Sequence, residues 1–282
     1  MPPPSAARCR ERISGLARKG RKAFCAPRKG ERFAGTAAAR ILAAALALCV
    51  WQAGAMLLGN ELLLVTPVAV ARRLWEMLPT ADFWTALGAT FSRIVLGFLL
   101  ALALAALLAA LSAAVPVVET LLRPYVAVIQ SVPVASFIVM ALLWLSSRRL
   151  SLFIAFLMVF PVLYTNLLQG IRAADRELLE MAAVFRVPFA RRVRCVYLPA
   201  VRAPLLAACR VALGLCWKAG VAAEVIGVAA NSVGGRLYDA KAYLEIADLF
   251  AWTVVIVAVS AAFERAFLFV LRRLFDAWER TV

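Results

Sequence analysis

Long apolar stretches alternate with short, mostly basic polar segments along most of the chain. A helix needs about 20 consecutive, mostly apolar residues to cross the hydrocarbon core of a bilayer. Six segments of the sequence meet this requirement, with limits that are good to a few residues. The six predicted spans cover residues 38–58, 87–111, 125–145, 150–168, 203–228 and 246–271. We therefore predict an all-α, polytopic membrane protein with six transmembrane helices.

The third and fourth predicted spans meet at a very short polar loop, residues 146–149, and should form an antiparallel helical hairpin. These spans contain Pro133 and Pro161, which a membrane helix tolerates where neighbouring groups satisfy the freed carbonyl. Two interpretations remain open: the prolines introduce packing kinks, or they shape a path for a solute. On the second interpretation, Ser131, Pro133 and Ser136 are candidates for lining that path.

The composition supports a membrane protein and gives its orientation. Of the 282 residues, 64% are hydrophobic, whereas soluble domains contain roughly 45–50%. The net charge of +16 comes from 32 basic and 16 acidic residues. A soluble nucleic-acid-binding protein could be as basic but not as apolar, so we expect no nucleic acid partner. With the N-terminus inside, 23 basic residues fall on the cytoplasmic side and 6 outside, which predicts that both termini are cytoplasmic.

The residues before the first span form a basic segment with no apolar stretch, so they do not resemble a secretory signal. We predict that residues 1–37 form a disordered cytoplasmic tail near anionic lipid headgroups, with a transit peptide as the less favoured alternative. The membrane domain then covers residues 38–282. Residues 66–83 include an amphipathic stretch that should lie along the outer interface, with Trp75 and Trp84 at headgroup depth.

The sequence offers little for catalysis. It contains no histidine, the usual general base and the commonest metal ligand. The six cysteines form no C-x-x-C pair, so we interpret them as packing thiols. A G-x-x-x-x-G-K-[ST] phosphate loop and a G-x-S-x-G nucleophile motif are also absent from the sequence. We therefore predict no catalytic residue, no metal and no cofactor, and an intramembrane enzyme is a poor interpretation.

The most informative polar segment, residues 172–202, lies between the fourth and fifth spans. Its first part, up to Phe185, has the amphipathic pattern of a helix. Pro188 fits the first turn of a second short helix, which Pro199 would end. The resulting helix–turn–helix elbow would expose Phe185 and Phe189 among several arginines. So much apolar surface in a loop indicates a partner protein that covers it.

This elbow resembles the E-A-A motif of bacterial ATP-binding-cassette (ABC) importer permeases. The motif reads Glu-Ala-Ala, a glycine after three further residues, and an Ile-x-Leu-Pro ending; the present chain matches it at Glu180, Ala182, Val196, Leu198 and Pro199. Arg186 replaces the glycine, which adopts a positive φ more readily. Either the turn is not left-handed, or the elbow is rebuilt around Pro188. The resemblance assigns coupling to an ATPase to Glu180, Met181, Ala182, Phe185, Arg186, Val187, Pro188, Phe189, Leu198 and Pro199.

A second stretch extends the resemblance into the fifth span. Residues 213–218 (LGLCWK), 223–227 (AEVIG) and 231–237 (NSVGGRL) are similar to the permeases of taurine, nitrate and alkanesulfonate importers, and the likeness covers roughly residues 85–272. It implies the type I ABC importer permease fold in the bacterial cytoplasmic (inner) membrane, with alternating access driven by a separate ATPase. The implied partners are two copies of an ABC ATPase subunit, a second permease chain in a homodimer, an extracytoplasmic solute-binding protein and the lipid bilayer.

The resemblance also narrows the substrate and the docking surface. It implies a small, anionic, nitrogen- or sulfur-containing solute such as taurine, a sulfonate or nitrate; a thiamine-precursor or riboflavin-like compound remains an alternative. A secondary transporter is less favoured because the elbow would have no purpose in one. The outer loop that should receive the binding protein spans residues 229–248 and carries Asp239, Lys241, Glu245 and Asp248.

Ionisable residues inside the spans are expensive and usually functional. Lys218 and Glu224 lie six residues apart, so they should not form a pair within one helix. Lys218 either lines the path of an anion or forms a structural ion pair with another helix. Glu224 has either a gating or a structural role, and both residues are candidates for the translocation path. Arg93, near the outer end of the second span, is expected to extend its guanidinium to the interface.

Overall fold

The computed structural model describes residues 37–59 and 64–279 and divides the chain into two compact units, Met1–Asn60 and Glu61–Val282. All regular elements in these described ranges are helices, which confirms the all-α prediction. The predicted tail, residues 1–37, lies outside the described residues except for Ala37, where the first helix begins. In the first unit, α1 (Ala37–Leu58) is a 22-residue apolar helix that is long enough to cross a bilayer and corresponds to the first predicted span.

The second unit contains the remaining described elements. A short helix precedes the second span, and a second short helix follows the fifth. In chain order the helices are α2 (Pro67–Met77), α3 (Ala81–Ala114), α4 (Pro116–Ser131), α5 (Val134–Ala141), α6 (Ser147–Arg172), α7 (Arg176–Val184), α8 (Phe189–Arg192), a π-helical turn (Val193–Tyr197), α9 (Leu198–Ile226), α10 (Val233–Ala242) and α11 (Ile246–Glu279).

Within the described residues, five helical segments are long and apolar enough to cross a membrane, and a bent pair of helices can supply a sixth span. The bent pair is α4 and α5, with a bend of 102° between the two helices, where the sequence predicted one third span that carries Pro133, with a packing kink as one of two interpretations. Pro133 explains the break. It has no N–H to continue a helix, and its ring disfavours helical geometry at Val132, which is extended at φ −81° and ψ 134°. Pro161 has no such effect, since α6 continues through it.

The prediction that Pro199 ends a helix is wrong. Helix α8, the π-helical turn and α9 form one continuous helical segment from Phe189 to Ile226, and Pro199 lies in the first turn of α9. A proline ring clashes with the carbonyl of the fourth residue before it in a regular α-helix. The wider π-helical turn directly before Pro199 accommodates that ring. The fifth span therefore begins inside the cytoplasmic loop, well before residue 203.

The core of the second unit lies where α6 packs along both α3 and α9. The face of α3 toward this core carries Ala101, Ala105 and Ala109, all fully buried, so the backbones can approach closely. Gly97 shows how closely: a Cβ there would lie 2.6 Å from the carbonyl oxygen of Leu152 on α6. This three-helix core includes residues along most of α9, from Val201 to Val221.

Candidate functional site

The cytoplasmic elbow consists of α7, a tight turn and α8. Asp175 caps α7 by accepting a hydrogen bond from the backbone N–H of Glu177 at 2.9 Å. At the other end, the N–H of Arg186 donates to the carbonyl of Ala183 at 3.1 Å, and the N–H of Val187 donates to Ala182 at 2.9 Å. These two bonds form a Schellman motif, the usual end of a helix that needs a left-handed residue. The predicted helix–turn–helix is therefore present.

Arg186 is that left-handed residue, with φ at 49°. The alternative that the turn is not left-handed is therefore wrong: the left-handed turn forms with an arginine in place of the glycine, and Pro188 caps the start of α8. A non-glycine residue pays roughly 1–2 kcal/mol for this conformation. The second helix helps to hold the turn, because the Nε of Arg192 donates to the carbonyl oxygen of Val187 at 2.9 Å.

The elbow exposes apolar side chains, as predicted. Phe185 and Phe189 are each 74% exposed. Of the other residues assigned to coupling, Ala182 is buried, Val187 and Leu198 are half-buried, and the remainder are exposed: Glu180, Met181, Arg186, Pro188 and Pro199. Two exposed phenylalanines beside arginines form a surface that another protein can cover. We call Met181, Phe185 and Phe189 the elbow surface.

Glu224 lies at the centre of a buried polar network near the outer end of α9, and its side chain has no exposed surface. One carboxylate oxygen accepts from Thr90 Oγ1 at 2.7 Å and from the backbone N–H of Gly234 at 3.2 Å. The other accepts from Arg93 Nη1 at 3.3 Å. Thr90 Oγ1 also accepts from the N–H of Val233 at 2.9 Å. We call Thr90, Arg93, Glu224 and the first amides of α10 the outer network.

The outer network corrects one prediction and bears on a second. Arg93 was expected to reach the interface, but its side chain is only 17% exposed and pairs with Glu224. Of the two roles left open for Glu224, its burial and its three hydrogen bonds favour the structural one, and its place on the translocation path stays a prediction. Sequence reasoning missed Thr90 altogether. The available signal was charge complementarity, because Arg93 and Glu224 are opposite charges near the outer ends of two neighbouring spans.

Lys218 lies on the face of α9 that neither α5 nor α11 covers. Ala219 and Ala223 belong to a buried cluster with residues of α5 and α6, while Trp217 contacts Phe263 of α11 with ring centroids 6.4 Å apart. The side chain of Lys218 is exposed, and it has no hydrogen-bond or ion-pair partner among residues 64–279. The neighbours one turn away on the same face are the small residues Gly214 and Ala222.

Ser131, Pro133 and Ser136 are exposed around the break between α4 and α5. Ser131 Oγ donates to the carbonyl of Val128 in its own helix at 3.1 Å. Ser136 belongs to an open, largely apolar groove on α5 that is also lined by Ala135, Val139, Met140 and Leu143. The structure brings α5 against α9 through Ile138 and Ala141, and Ser136 and Lys218 lie on the exposed parts of these two helices.

Two ion pairs connect helices on the outer face. Arg73 on α2 pairs with Asp248 on α11, with Nη2 and Oδ2 2.9 Å apart, and the hydrogen bond to Asp248 raises the pKa of Arg73 further above its already high value. Asp248 is therefore engaged and does not belong to a free docking surface. Arg236 on α10 pairs with Asp82 on α3 at 3.2 Å. The other acidic and basic residues predicted for docking are exposed: Asp239, Lys241 and Glu245.

The amphipathic stretch predicted in residues 66–83 contains helix α2, and its place at the outer interface stays a prediction. Its exposed side includes Val68 and Trp75, and Trp84 is exposed just beyond it. Trp84 anchors the following turn by donating from Nε1 to the carbonyl of Leu78 at 2.9 Å. Within the described ranges, no group of three His, Cys, Asp or Glu side chains could hold a metal ion.

Apolar spans around a close-packed core, with an elbow of exposed apolar residues in one polar loop, define a multi-span membrane protein built to work with a second protein. The family described as "Binding-protein-dependent transport system inner membrane component" matches residues 101–281, more than half of the chain, and the chain belongs to that family. It is an ABC importer permease subunit, a multi-pass inner-membrane transport protein and not an enzyme. The family implies an ATPase and a binding protein as partners.

Curated relatives resemble most of the chain. The Bacillus subtilis (strain 168) protein named "Putative aliphatic sulfonates transport permease protein SsuC" is 28% identical over 86% of this chain and 87% of its own length. The taurine transport system permease protein TauC of Escherichia coli (strain K12) is 24% identical, with 79% and 83% covered. The riboflavin transport system permease protein RibX of Chloroflexus aurantiacus is 30% identical, with 78% and 85% covered.

A solved structure supports the fold. A chain of an amino acid ABC transporter, crystallised with histidines, superposes with a TM-score of 0.51 at 18% sequence identity. The match covers 74% of the present chain and 98% of the other. At this identity the likeness concerns the fold, and it confirms the predicted type I importer permease architecture.

Proposed function

We propose that this permease subunit carries a small anionic solute of the sulfonate or taurine type and couples to its ATPase through the elbow surface. The proposal has two parts, which rest on different residues. The observation that carries the coupling is the exposure of Phe185 and Phe189 at the elbow. Lys218 on the uncovered face of α9 supports the choice of an anion.

The elbow surface fits a docking role physically. Burying one phenylalanine side chain contributes roughly 1.5–3 kcal/mol, so a partner that covers both gains a substantial part of a specific association energy. The turn that presents them is fixed by the Schellman motif and by Arg192, so little ordering entropy is lost on docking. Each chain has one such elbow, and a symmetric transporter with two ATPase subunits therefore needs two permease chains.

Lys218 supports both the homodimer and the nature of the solute. A charged side chain facing lipid in the middle of a span costs several kcal/mol, and such residues normally face protein or a water-filled path. A second copy of the chain, facing the exposed stripe of α9, would shield Lys218 from lipid and form the path between the two copies. An ammonium group without an acidic partner in that path favours an anion. Ser131, Pro133 and Ser136, exposed on the neighbouring break, are proposed to line the same path.

The solute can be tested by uptake into proteoliposomes that contain the permease, its ATPase and its binding protein. We expect taurine or an alkanesulfonate to be taken up, and Lys218→Met to reduce the rate at least about tenfold, because removal of a specific charge contact is worth about 1.4 kcal/mol or more. Lys218→Arg keeps the charge and should retain most of the transport. Equal uptake by the Lys218→Met variant would overturn the role of Lys218.

Riboflavin-like compounds are a second candidate, because RibX has the highest identity among the three relatives described above. The uncharged flavin ring does not require a cation in its path, so Lys218→Met should leave riboflavin uptake nearly unchanged. Uptake of riboflavin but not of sulfonates by the wild-type complex would replace the proposed solute and leave the coupling proposal intact.

Coupling is tested by copurification of the ATPase with permease variants in detergent. Phe189→Ala should weaken the association at least about tenfold, the effect expected for a central apolar contact. Trp144→Ala is the matched control, since Trp144 is similarly exposed, at 75%, in the loop at the opposite end of the hairpin. Unchanged copurification of the Phe189→Ala variant would show that the elbow is not the docking surface.

A further inference from the structure

The outer network is not explained by solute passage or by ATPase docking. A fully buried carboxylate is expensive unless it is paired and hydrogen-bonded, and Glu224 accepts hydrogen bonds from a hydroxyl, a guanidinium and a backbone amide. Two of these donors come from α3 and one from α10. Glu224 on α9 thus joins three separate elements at one point.

The contact with α10 is especially close. A Cβ on Gly234 would lie 2.3 Å from the Cβ of Glu224, so only glycine allows this approach. The N–H of Gly234 donates directly to the carboxylate, while the N–H of Val233 reaches it through Thr90 Oγ1. These two amides at the start of α10 have no acceptor within their own helix. Gly234 therefore donates to Glu224 itself, and Val233 is linked to Glu224 through the Thr90 hydroxyl.

The chain between α9 and α10 needs such a support. Val228 and Asn231 both adopt left-handed backbone conformations, with φ at 45° and 51°. This is unfavourable for a β-branched valine in particular, and strained backbone persists only where the surrounding structure fixes it. Ser232 adds a local cap, because its Oγ accepts from the N–H of Gly235 at 2.9 Å. The network and this cap together fix how α10 leaves α9.

Helix α10 and the residue that follows it, Tyr243, present an exposed surface on the outer side. Tyr238 and Tyr243 are 40% and 76% exposed, and Asp239 and Lys241 lie between them, both exposed. If α10 were loosely tethered, a protein that binds this surface could move α10 without moving the spans. The outer network prevents this, because displacing α10 would break the hydrogen bond from Gly234 to Glu224 and the hydrogen bond from Val233 to Thr90.

We infer that Glu224 is a positioning residue that makes α10 one rigid piece with α3 and α9, so that a binding protein docked on α10 acts directly on the spans. This inference rests on the proposed function, because it takes the binding protein on the outer face as the partner. Thr90 is a second positioning residue, because its hydroxyl donates to Glu224 and accepts from the N–H of Val233 at the same time. Arg93 balances the buried charge and fixes the second carboxylate oxygen.

The test uses the complete complex of permease, ATPase and binding protein in nanodiscs. The main variant is Thr90→Val, which removes the hydroxyl at nearly constant shape. We expect stimulation of ATP hydrolysis by the liganded binding protein to fall at least about fivefold, because the variant loses both hydrogen bonds of the hydroxyl and each is worth about 1 kcal/mol, which corresponds to about a fivefold change. Thr90→Ser keeps the hydroxyl and should restore the stimulation. Asp82→Asn is the matched control, because it breaks the exposed pair between α3 and α10 and should leave the stimulation unchanged.

A second measurement separates this inference from the proposed function. Hydrogen exchange of the Val233 and Gly234 amides should accelerate about tenfold in the Thr90→Val permease, whereas the amides of the elbow should not change. If the wild-type complex shows no stimulation by a binding protein, the proposed function fails and the exchange data still decide the role of the network. Unchanged exchange at Val233, or full stimulation in the Thr90→Val complex, would overturn the inference.

Discussion

Arg93 on α3 and Glu224 on α9 form an ion pair, with Nη1 and Oε1 3.3 Å apart and the glutamate completely buried. Each residue is an ionisable group in an apolar span, and together they neutralise each other near the outer end of the core. The pair is asymmetric. Glu224 has two further hydrogen-bond donors, from Thr90 and Gly234, so the position of the carboxylate is fixed more strongly than that of the guanidinium.

This asymmetry predicts the stability of variants. Arg93→Met removes the counter-charge and leaves an uncompensated buried carboxylate, which should cost about 3–5 kcal/mol. The double variant Arg93→Met, Glu224→Gln has no buried carboxylate left without a counter-charge. Its loss of folding stability should therefore be clearly smaller than the sum of the losses in the two single variants. Thermal unfolding of the purified permease in detergent measures all three. Additive effects would mean that the two charges do not interact in the folded protein.

Replacing arginine by glycine should have opposite effects on the stability of the elbow at positions 186 and 191. Arg186→Gly relieves the left-handed strain and should stabilise the elbow by up to about 1 kcal/mol, after the entropy gained by the unfolded glycine is subtracted. Arg191→Gly, in the helical conformation of α8, should instead destabilise it by about 0.5–1 kcal/mol. Hydrogen exchange of the Val187 amide reports both. A destabilising effect of Arg186→Gly would show that the arginine side chain makes a contact worth more than the backbone strain.

Two glycines, Gly234 in the outer network and Gly214 on the uncovered face of α9, provide a second matched pair. At Gly234 an added Cβ would clash with Glu224 at 2.3 Å, so Gly234→Ala should destabilise the protein by about 1–3 kcal/mol. At Gly214 an added Cβ has no neighbour within 4 Å, and alanine is the better helix former, so Gly214→Ala should be neutral or stabilising by up to about 1 kcal/mol. Thermal unfolding distinguishes them, and similar losses at both positions would contradict the close contact at Gly234.

If Pro133 causes the bend between α4 and α5, replacing it should straighten the third span. Pro133→Ala restores a backbone N–H and removes the restriction on Val132, so α4 and α5 should be able to approach a continuous helix. Spin labels on Tyr125 and Val139, both exposed, should then move further apart than in the unsubstituted chain. A matched change at Pro161→Ala should leave the distance unchanged, because α6 is continuous there. An unaltered distance in the Pro133→Ala variant would show that packing on α6 and α9, and not the proline, sets the bend.

Much of the fold follows from local properties of the sequence. The apolar lengths predicted the spans because a bilayer imposes one length on every crossing helix, and the elbow followed from an amphipathic run ended near Pro188. The sequence predicted a kink at Pro133 as one possibility but not a bend as large as 102°. A proline can either kink or break a helix, and which of the two occurs depends on the neighbouring helices. Pro199 was misinterpreted because the π-helical turn that accommodates it has no recognisable sequence pattern.

The candidate sites show the same division. Exposure of Phe185 and Phe189 could be predicted, since it depends on residues close together in the sequence. The environment of Glu224 could not be predicted, because its partners Thr90 and Arg93 are more than a hundred residues away. From the sequence alone, one could have inferred only that Arg93 and Glu224, two opposite charges in different spans, form a pair. The contribution of backbone amides from Val233 and Gly234 depends on a close approach that only the folded chain reveals.

The uninterrupted helical segment from Phe189 to Ile226 has a consequence for how force crosses this protein. At about 1.5 Å per residue, its 38 residues extend roughly 57 Å, more than the thickness of a bilayer with its headgroups. Phe189 of the elbow surface stands at one end, and Glu224 lies within the last turn at the other. A displacement of the elbow is therefore carried to the outer face along one continuous helical segment, whose irregular π-helical turn, Val193–Tyr197, lies next to the elbow.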